Sequence, residues 1–374
     1  MKIGIDASRY GHAEATGVEW YSYQLLNELL PLLGRDHNNE VRLYSPRAIK
    51  LAIDAPFNVK KRVMPMPRLW TTVRLSLELL LHPVDLLFVP SHILPPIMAK
   101  KSVVTIHDVA FRHLKGSYDW LQYFLLQRST RQAVKKAYKI IVPSNATKND
   151  LIEFYKCDPE KIVVIAHGSP QIDALRSWTE SEQLTLRDHF KLKPRDLYIL
   201  YVGRIETKKN LVRLVEAFKR FLVEFPDWKL VLAGKNGVGY EEVLKKINEL
   251  QLQKNILLPG YVTEREKSFL MDHCRIFAFP SAYEGFGLPV LEAFAYRKPV
   301  LTSNSSALPE VAGGAAVLAD PNEVAQISVG LKRLALDGVL VSQMIEKGSV
   351  RLKHFSWEKA AKQTYEVLLE ENSL

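Results

Sequence analysis

The sequence predicts an α/β protein built from two doubly wound halves joined by a linker, and three observations carry that expectation. First, 374 residues exceed what one hydrophobic core ordinarily serves, so two domains are the default. Second, short β-rich runs alternate with helical patterns in both halves, which implies βαβ units and mostly parallel sheets. Third, this alternation lapses across residues 167–194 and then restarts.

In the first half, residues 2–6, 41–44, 86–89, 103–106, 139–142 and 162–165 read as strands. They are apolar, rich in β-branched residues and too short to be helices. Segments 18–33, 118–137 and 146–155 carry apolar residues at helical spacing. Gly168-Ser-Pro170, a polar stretch and Lys193-Pro-Arg-Asp196 then read as a connection containing one helix. Strands resume at 197–202, 229–233, 256–258, 276–279, 299–302 and 315–318, and 357–370 reads as a final amphipathic helix. The expected domains are 1–170 and 190–356, with a cleft between them. No low-complexity segment or short-period repeat interrupts either one.

Composition narrows the function classes. With 47% hydrophobic and 25% charged residues the chain has the balance of an ordinary soluble globular protein. Cys157 and Cys274 stand too far apart for a disulfide framework or a metal-ligand spacing, so they are expected as buried thiols in a reducing compartment. Met1-Lys-Ile-Gly-Ile-Asp6 reads as a strand rather than a signal peptide. No apolar run approaches the roughly 18–20 residues of a spanning helix, so a cytoplasmic or peripheral protein is expected. The net charge of +10 is uneven: residues 1–170 hold 23 Lys and Arg against 15 Asp and Glu, and the remainder 28 against 26. A basic first half suits nucleic acid, a membrane surface or an anionic substrate, or is simply a solvated basic face. No recognition motif supports specific nucleic-acid binding.

In doubly wound sheets, ligands bind beyond the carboxyl ends of the strands. There the most informative segment is Pro280-Ser-Ala-Tyr-Glu284-Gly-Phe-Gly-Leu-Pro-Val-Leu-Glu292. The strand 276–279 stops at Pro280, a Gly-rich turn follows, and Pro289 suits the first position of a helix. Glu284 is thereby expected on the loop and Glu292 in the first helical turn. The backbone N–H groups of Phe286, Gly287 and Leu288 would point out of the helix start, an end suited to phosphate. Two carboxylates bracketing an anion site suggest a ligand with both hydroxyls and phosphates, such as a nucleotide sugar. Paired carboxylates also raise acid–base glycosidase chemistry, which needs a raised pKa on one partner. A helix start favours the anion at Glu292, so hydroxyl binding suits it better.

Other strand ends add candidates. The strand 197–202 leads into Gly203-Arg204-Ile-Glu-Thr-Lys208-Lys209-Asn210 and a helix from Leu211. Arg204 can clamp phosphate oxygens in bidentate fashion and Lys209 adds a point charge, with Lys208 equally placed by sequence. The strand 103–106 ends in His107-Asp108, where His107 is either a cleft residue or a structurally satisfied histidine; His92, His113 and His167 are placed less suggestively. Gly17 precedes a helix expected from about Glu19. It is either an approach point for phosphate or a plain loop glycine, and no G-x-G-x-x-G fingerprint surrounds it.

These residues together resemble the retaining GT-B glycosyltransferases of the family 4 type. The C-terminal half carries most of the resemblance: Tyr201-Val-Gly-Arg204 with Lys209-Asn210, the Gly234 turn, Pro259-Gly-Tyr-Val262, Glu284 to Glu292, and Ser303-Asn304 through Leu308-Pro-Glu310-Val311. The N-terminal half contributes Gly17-Val-Glu-Trp-Tyr21, Thr105-Ile-His107-Asp108 and Val142-Pro-Ser144-Asn-Ala-Thr-Lys148. The resemblance implies a Rossmann-like donor-binding domain over 190–356. It also implies an acceptor-binding domain over 1–170, onto which a closing helix at about 357–374 packs back. Arg204 and Lys209 would hold the donor diphosphate, assisted by the amides of Phe286, Gly287 and Leu288. Glu284 would bind the donor sugar, Glu292 the ribose, the backbone near Tyr261 and Val262 the base, and His107 the transferred sugar, with the Gly17 loop near phosphates or acceptor. The donor would be GDP-mannose or a UDP-sugar, the acceptor a glycan or lipid-linked saccharide, and Arg and Lys would stand in for a metal. Two departures stand out: Ala166-His167-Gly168 replaces the family's Asn-Gly, and Gly17 is single where relatives carry a pair.

Lys60-Lys-Arg62, Pro67-Arg-Leu-Trp70 and Arg74 form a basic stretch with an aromatic residue, followed by the apolar segment 75–81. It is expected either to dock on anionic lipid at the inner membrane face or to pack as an ordinary amphipathic helix. A GT-B epimerase, a phosphorylase and a basic nucleic-acid-binding protein are the competing readings.

Overall fold

The computed structural model describes residues 1–11, 17–35, 38–170 and 178–370, so the stretch just before Gly17, part of the linker and the last four residues lie outside the described residues. The chain divides into two compact units, Met1–Gly168 with Phe355–Leu374, and Ser169–His354.

The first unit is built on strands β1 (Lys2–Asp6), β2 (Glu40–Ser45), β3 (Val59–Val63), β4 (Leu86–Val89), β5 (Lys101–Thr105), β6 (Lys139–Val142) and β7 (Ile162–Val164). All neighbours pair in parallel, in the order β3-β2-β1-β4-β5-β6-β7. Strand β3 is absent from the sequence expectation because Val59-Lys-Lys-Arg-Val63 shows no apolar alternation. Its edge position explains that: only one side is paired, and its largely exposed Lys and Arg side chains discourage edge-to-edge association. Helices α1 (Gly17–Gly34), α2 (Ser76–Leu81), α3 (Ala110–His113), α4 (Trp120–Lys136) and α5 (Asn145–Tyr155) connect these strands. A π-helical turn, Trp70–Leu75, runs directly into α2. Helix α1 buries Tyr21, Leu25, Leu26, Leu29, Leu30 and Leu33, a stripe at 3.6-residue spacing.

The second unit carries β8 (Tyr198–Val202), β9 (Lys229–Ala233), β10 (Ile256–Gly260), β11 (Ile276–Phe279), β12 (Val300–Ser303) and β13 (Val317–Ala319), again all parallel, in the order β10-β9-β8-β11-β12-β13. Its helices are α6 (Glu180–His189), α7 (Leu211–Phe221), α8 (Tyr240–Glu249), α9 (Glu264–His273), α10 (Leu288–Ala295), α11 (Leu308–Ala312), α12 (Val324–Leu336) and α13 (Gly338–Leu352). Strands β8 and β11 are buried along their whole length, which is why they read as unbroken apolar runs. The closing helix α14 (Trp357–Leu369) belongs to the first unit and packs along α1. Ser356 caps it by accepting from the Lys359 amide at 3.2 Å.

In each sheet the strand order reverses once, between β1 and β4 and between β8 and β11. Loops leaving neighbouring strands at such a point diverge to opposite faces and leave a crevice at the carboxyl ends. In the second sheet Arg204, Lys209 and Glu284 leave from these ends, whereas His107 follows β5 and Tyr261 follows β10.

Candidate active site

In the second unit, the loop after β8 carries Arg204 and Lys209, and the loop after β11 carries Glu284. Three interactions join the two loops. The Ala282 amide donates to the Lys208 carbonyl at 2.8 Å. Asn210, buried and in the left-handed conformation that starts α7, donates through Nδ2 to the carbonyls of Pro280 at 3.1 Å and Pro321 at 2.6 Å. The Lys209 ammonium sits 2.5 Å from Glu284 Oε1 and 5.1 Å from the centre of the Phe279 ring. Glu284 is only 9% exposed. Its amide donates to Ser306 Oγ at 3.0 Å, which fixes its backbone. The carboxylate and ammonium therefore face each other where water screens them weakly. Of the two neighbouring lysines, Lys209 carries its charge to Glu284, and Lys208 joins the loops through its backbone.

Arg204 is different. Its side chain is 58% exposed, lies 3.2 Å from Glu206, and borders an open depression with Gly237, Gly239 and Glu241. An exposed pair of this kind holds weakly, so the guanidinium is at liberty to turn to a stronger anion.

Helix α10 starts one residue earlier than expected, at Leu288, with Gly287 as its N-cap and Pro289 in the second position. Glu292 is consequently the fifth helical residue and lies in the second turn, not the first. The helix start therefore cannot be the main influence on its carboxylate, because that effect fades within one turn. Its observed neighbour is Lys267 of α9, 3.1 Å from Glu292 Oε1. Gly287 has φ of 120°, and a Cβ there would stand 2.8 Å from Leu308 Cδ2, so only glycine fits. Lacking a side chain, Gly287 leaves the amides of the first turn uncapped by it. Phe286 is buried and Leu288 half-buried. Beyond β10, Tyr261 is half-exposed beneath the Lys235 ammonium, 4.7 Å from the ring centre, while the Val262 side chain is buried.

The first unit holds a neutral cluster. His107 follows β5, and its Nε2 lies 3.1 Å from the Pro90 carbonyl at the end of β4. A carbonyl only accepts, so Nε2 carries the proton and Nδ1 is left as an acceptor. Burial lowers the His107 pKa below its ordinary value, outweighing the Pro90 carbonyl and the Asp108 carboxylate. Tyr21 of α1 meets the His107 ring edge-on at 4.7 Å and the His167 ring at 4.7 Å. Trp357 at the head of α14 stacks on His167 at 5.8 Å. The departure at Ala166-His167-Gly168 thus has a structural role. His167 is buried against Trp357, and a Cβ on Gly168 would come within 2.3 Å of the Trp357 amide nitrogen. Gly17 is the first residue of α1 rather than part of the loop before it, and a Cβ there would face open space.

Lys267, Asn210's carbonyl contacts and the Tyr21–His167–Trp357 stack are what sequence reasoning missed. No local pattern marks them, because each joins residues that only the fold brings together. Of the two readings of the basic stretch near Trp70, the structure favours packing. Trp70 is 7% exposed, and its Nε1 donates to the Met64 carbonyl at 2.9 Å, so its ring is unavailable to a membrane. Arg62 and Arg74 both turn to buried Glu78, at 2.8 and 3.4 Å.

Two parallel sheets with these loops at their switch points define the GT-B class of α/β glycosyltransferases. Residues 182–351 match the family model of glycosyl transferases group 1, and residues 15–169 that of glycosyltransferase family 4. The chain belongs to this family and is a glycosyltransferase. It is 29% identical over 273 residues to the O-antigen chain mannosyltransferase B of Escherichia coli, covering 72% of this chain and 70% of that one. It is 26% identical over 230 residues to the serotype-specific mannosyltransferase WbdA of Escherichia coli, where the match spans 61% of this chain but only 28% of the much longer relative. Among solved structures, WaaG, a glycosyltransferase involved in lipopolysaccharide biosynthesis, superposes with a TM-score of 0.73 at 16% identity, covering 99% of this chain and all of that one. Anabaena HepE, solved in complex with UDP and glucose, gives 0.73 at 18% identity over 99% of this chain and all of that one. At such identities these two likenesses concern the fold alone.

Proposed function

We propose that the enzyme moves a hexose from a nucleoside-diphosphate sugar to a glycan or lipid-linked acceptor in cell-surface polysaccharide or glycolipid synthesis, with retention of configuration and without a metal. GDP-mannose is the first candidate donor, given the mannosyltransferase relatives, and a UDP-sugar the second. The observation that carries this reading is the largely shielded Lys209–Glu284 pair spanning the two loops at the switch point of the second sheet. It sets a cation for phosphate beside a carboxylate for sugar hydroxyls.

The donor's C1–O bond to the diphosphate breaks while a new C1–O bond forms to the acceptor hydroxyl. The hydroxyl proton leaves with the departing phosphate oxygen. Arg204 and Lys209 balance the charge that grows on the leaving group, aided by amides from Phe286 to Leu288. Glu284 binds hydroxyls of the donor sugar and steadies positive charge near C1. Glu292 takes the ribose hydroxyls, and backbone at Tyr261 and Val262 meets the base. His107, neutral and with Nδ1 as acceptor, takes a hydroxyl of the transferred sugar. The enzyme's contribution is mainly placement and fixed charge.

Incubation with GDP-mannose or UDP-glucose and a glycan acceptor, read by NMR for the anomeric configuration of the product, tests the reaction. An inverted product, or activity abolished by a chelator and restored by a divalent cation, would refute retention or metal independence respectively. Release of sugar phosphate, or epimerised donor without acceptor, would favour a phosphorylase or an epimerase instead.

A specific surface favours docking at the inner membrane face. Helix α4 exposes Trp120 (79%), Leu121, Phe124 and Leu125 in its first two turns. It continues with Arg128, Arg131, Lys135 and Lys136, and contains no Asp or Glu. An apolar wedge followed by cations fits anionic lipid, each cation contributing about 1 kcal/mol near the surface. Co-sedimentation with vesicles that does not depend on their anionic lipid content would remove this part of the proposal.

A further inference from the structure

Helix α9 leaves the Tyr261–Val262 loop through a tight start. The Thr263 amide donates to Glu266 Oε2 at 2.7 Å and the Glu266 amide donates to Thr263 Oγ1 at 3.2 Å, a reciprocal cap that fixes the first turn. The next residue, Lys267, has its ammonium 2.9 Å from Glu264 Oε2 and 3.1 Å from Glu292 Oε1. The two links differ. Glu264 is 61% exposed and one turn away on the same helix, an ordinary surface pair. Lys267 and Glu292 are 18% and 17% exposed and come from different helices. Burial alone would push the Lys267 ammonium towards losing its proton, but Glu292 and Glu264 outweigh it and its pKa is raised. Removing such a lysine leaves a desolvated carboxylate without its counter-charge.

A carboxylate that grips a vicinal diol must be ionised, because its oxygens then only accept, and must be held in one plane so that two hydroxyls reach it together. We infer that Lys267 is a positioning residue for nucleoside recognition, holding the Glu292 carboxylate oriented for the ribose diol and tying that site to the loop that meets the base. This rests on the assignment of Glu292 to the ribose under the proposed function. Lys267 donates to Oε1 at 3.1 Å and so fixes the plane of the carboxylate, and the remaining lone pairs of both oxygens are offered to the diol. Because α9 begins where the Tyr261–Val262 loop ends, one ammonium links base recognition to ribose recognition.

The test compares wild type, Lys267→Met, Lys267→Arg and Glu292→Ala. Donor kinetics are measured with GDP-mannose and UDP-glucose, and binding with GDP and UDP against their 2′,3′-dideoxy counterparts. The expected result for Lys267→Met is a donor KM raised about tenfold with kcat within about twofold, the size of one lost charge-assisted hydrogen bond. Its preference for the ribo over the dideoxy nucleotide should shrink towards that of Glu292→Ala, and Lys267→Arg should recover most of it. Full ribose discrimination in Lys267→Met overturns the inference, whatever its unfolding temperature, since Lys267 then only braces two helices. Full discrimination in Glu292→Ala overturns the ribose assignment itself and the inference with it. Should Lys267→Met fail to fold, Lys267→Gln, uncharged and still able to donate, replaces it in the same comparison.

Discussion

The switch points of the two sheets share a topology and differ in chemistry. At β8 and β11 the loops present full charges in pairs, Lys209 with Glu284, and Lys267 with Glu292 close by. Around β1 and its neighbours in the first sheet, burial disfavours charge. Burial raises the Asp6 pKa and lowers those of His107 and His167, and the surrounding surfaces are Tyr21 and Trp357 rings. A parallel doubly wound sheet fixes where a ligand sits, not how it is held. A diphosphate calls for preorganised charge, whereas a saccharide is recognised by uncharged donors and acceptors against apolar rings.

The contrast can be broken most directly at its charged end. Lys209→Ala should lower kcat/KM by about 10²–10³-fold, the cost of removing one preorganised charge at a developing anion. His107→Ala, which removes a single neutral acceptor, should cost about tenfold. Steady-state kinetics of both variants with GDP-mannose decide it, and equal losses would mean that the two sites are not chemically distinct in the way described. Gly287→Ala should be next in size. With φ of 120° and a Cβ 2.8 Å from Leu308, it should lower stability by about 1–3 kcal/mol in a denaturant titration and weaken nucleotide binding as well.

A pH titration sharpens the neutral side. His92, His107 and His167 have folded pKa values below the ordinary 6.5, that of His92 pushed down to about 4, each mainly by burial. Below pH 6.5 the unfolded chain binds protons that the folded chain refuses, so stability falls with pH. The loss begins near pH 6.5 and continues towards pH 4, with a slope of up to about 1.4 kcal/mol per pH unit for each histidine. Thermal unfolding followed from pH 7.5 to 4.5 should show the decline, and His167→Phe should flatten it. A decline unchanged in that variant would mean that His167 does not contribute. The smallest expected effect on turnover is at α4: Trp120→Ala with Phe124→Ser should reduce retention on anionic vesicles several-fold while leaving turnover of a water-soluble acceptor unchanged.

The legibility of the fold follows from burial. Strands β1, β4, β6, β9 and β11 have the bounds that their apolar runs suggest, because strand interiors covered on both faces read as near-continuous apolar runs. Strand β3 was illegible, since an edge strand covered with lysine and arginine leaves no pattern to read. At the site, Glu284 and Lys209 were legible as residues on loops after strands, but not as partners of each other. The turn of Glu292 was misread because proline is tolerated at the second helical position as well as the first. At Trp70 the sequence leaves a membrane-facing and a packed reading open, because adjacency to Arg68 and Arg74 says nothing about which way its ring turns, and the fold packs it.

Local sequence was enough for the alternation of strand and helix, the break between two halves, and the residue types waiting at each strand's carboxyl end. These follow from local periodicity and from the short list of residues that start, stop or bend a chain. Which charges neutralise one another depends instead on how distant segments pack. Lys209 is 75 residues from Glu284, and Lys267 is 25 from Glu292. The strength of each pair comes from the exclusion of water around it, and that exclusion is made by the packing of the whole unit rather than by any stretch of chain.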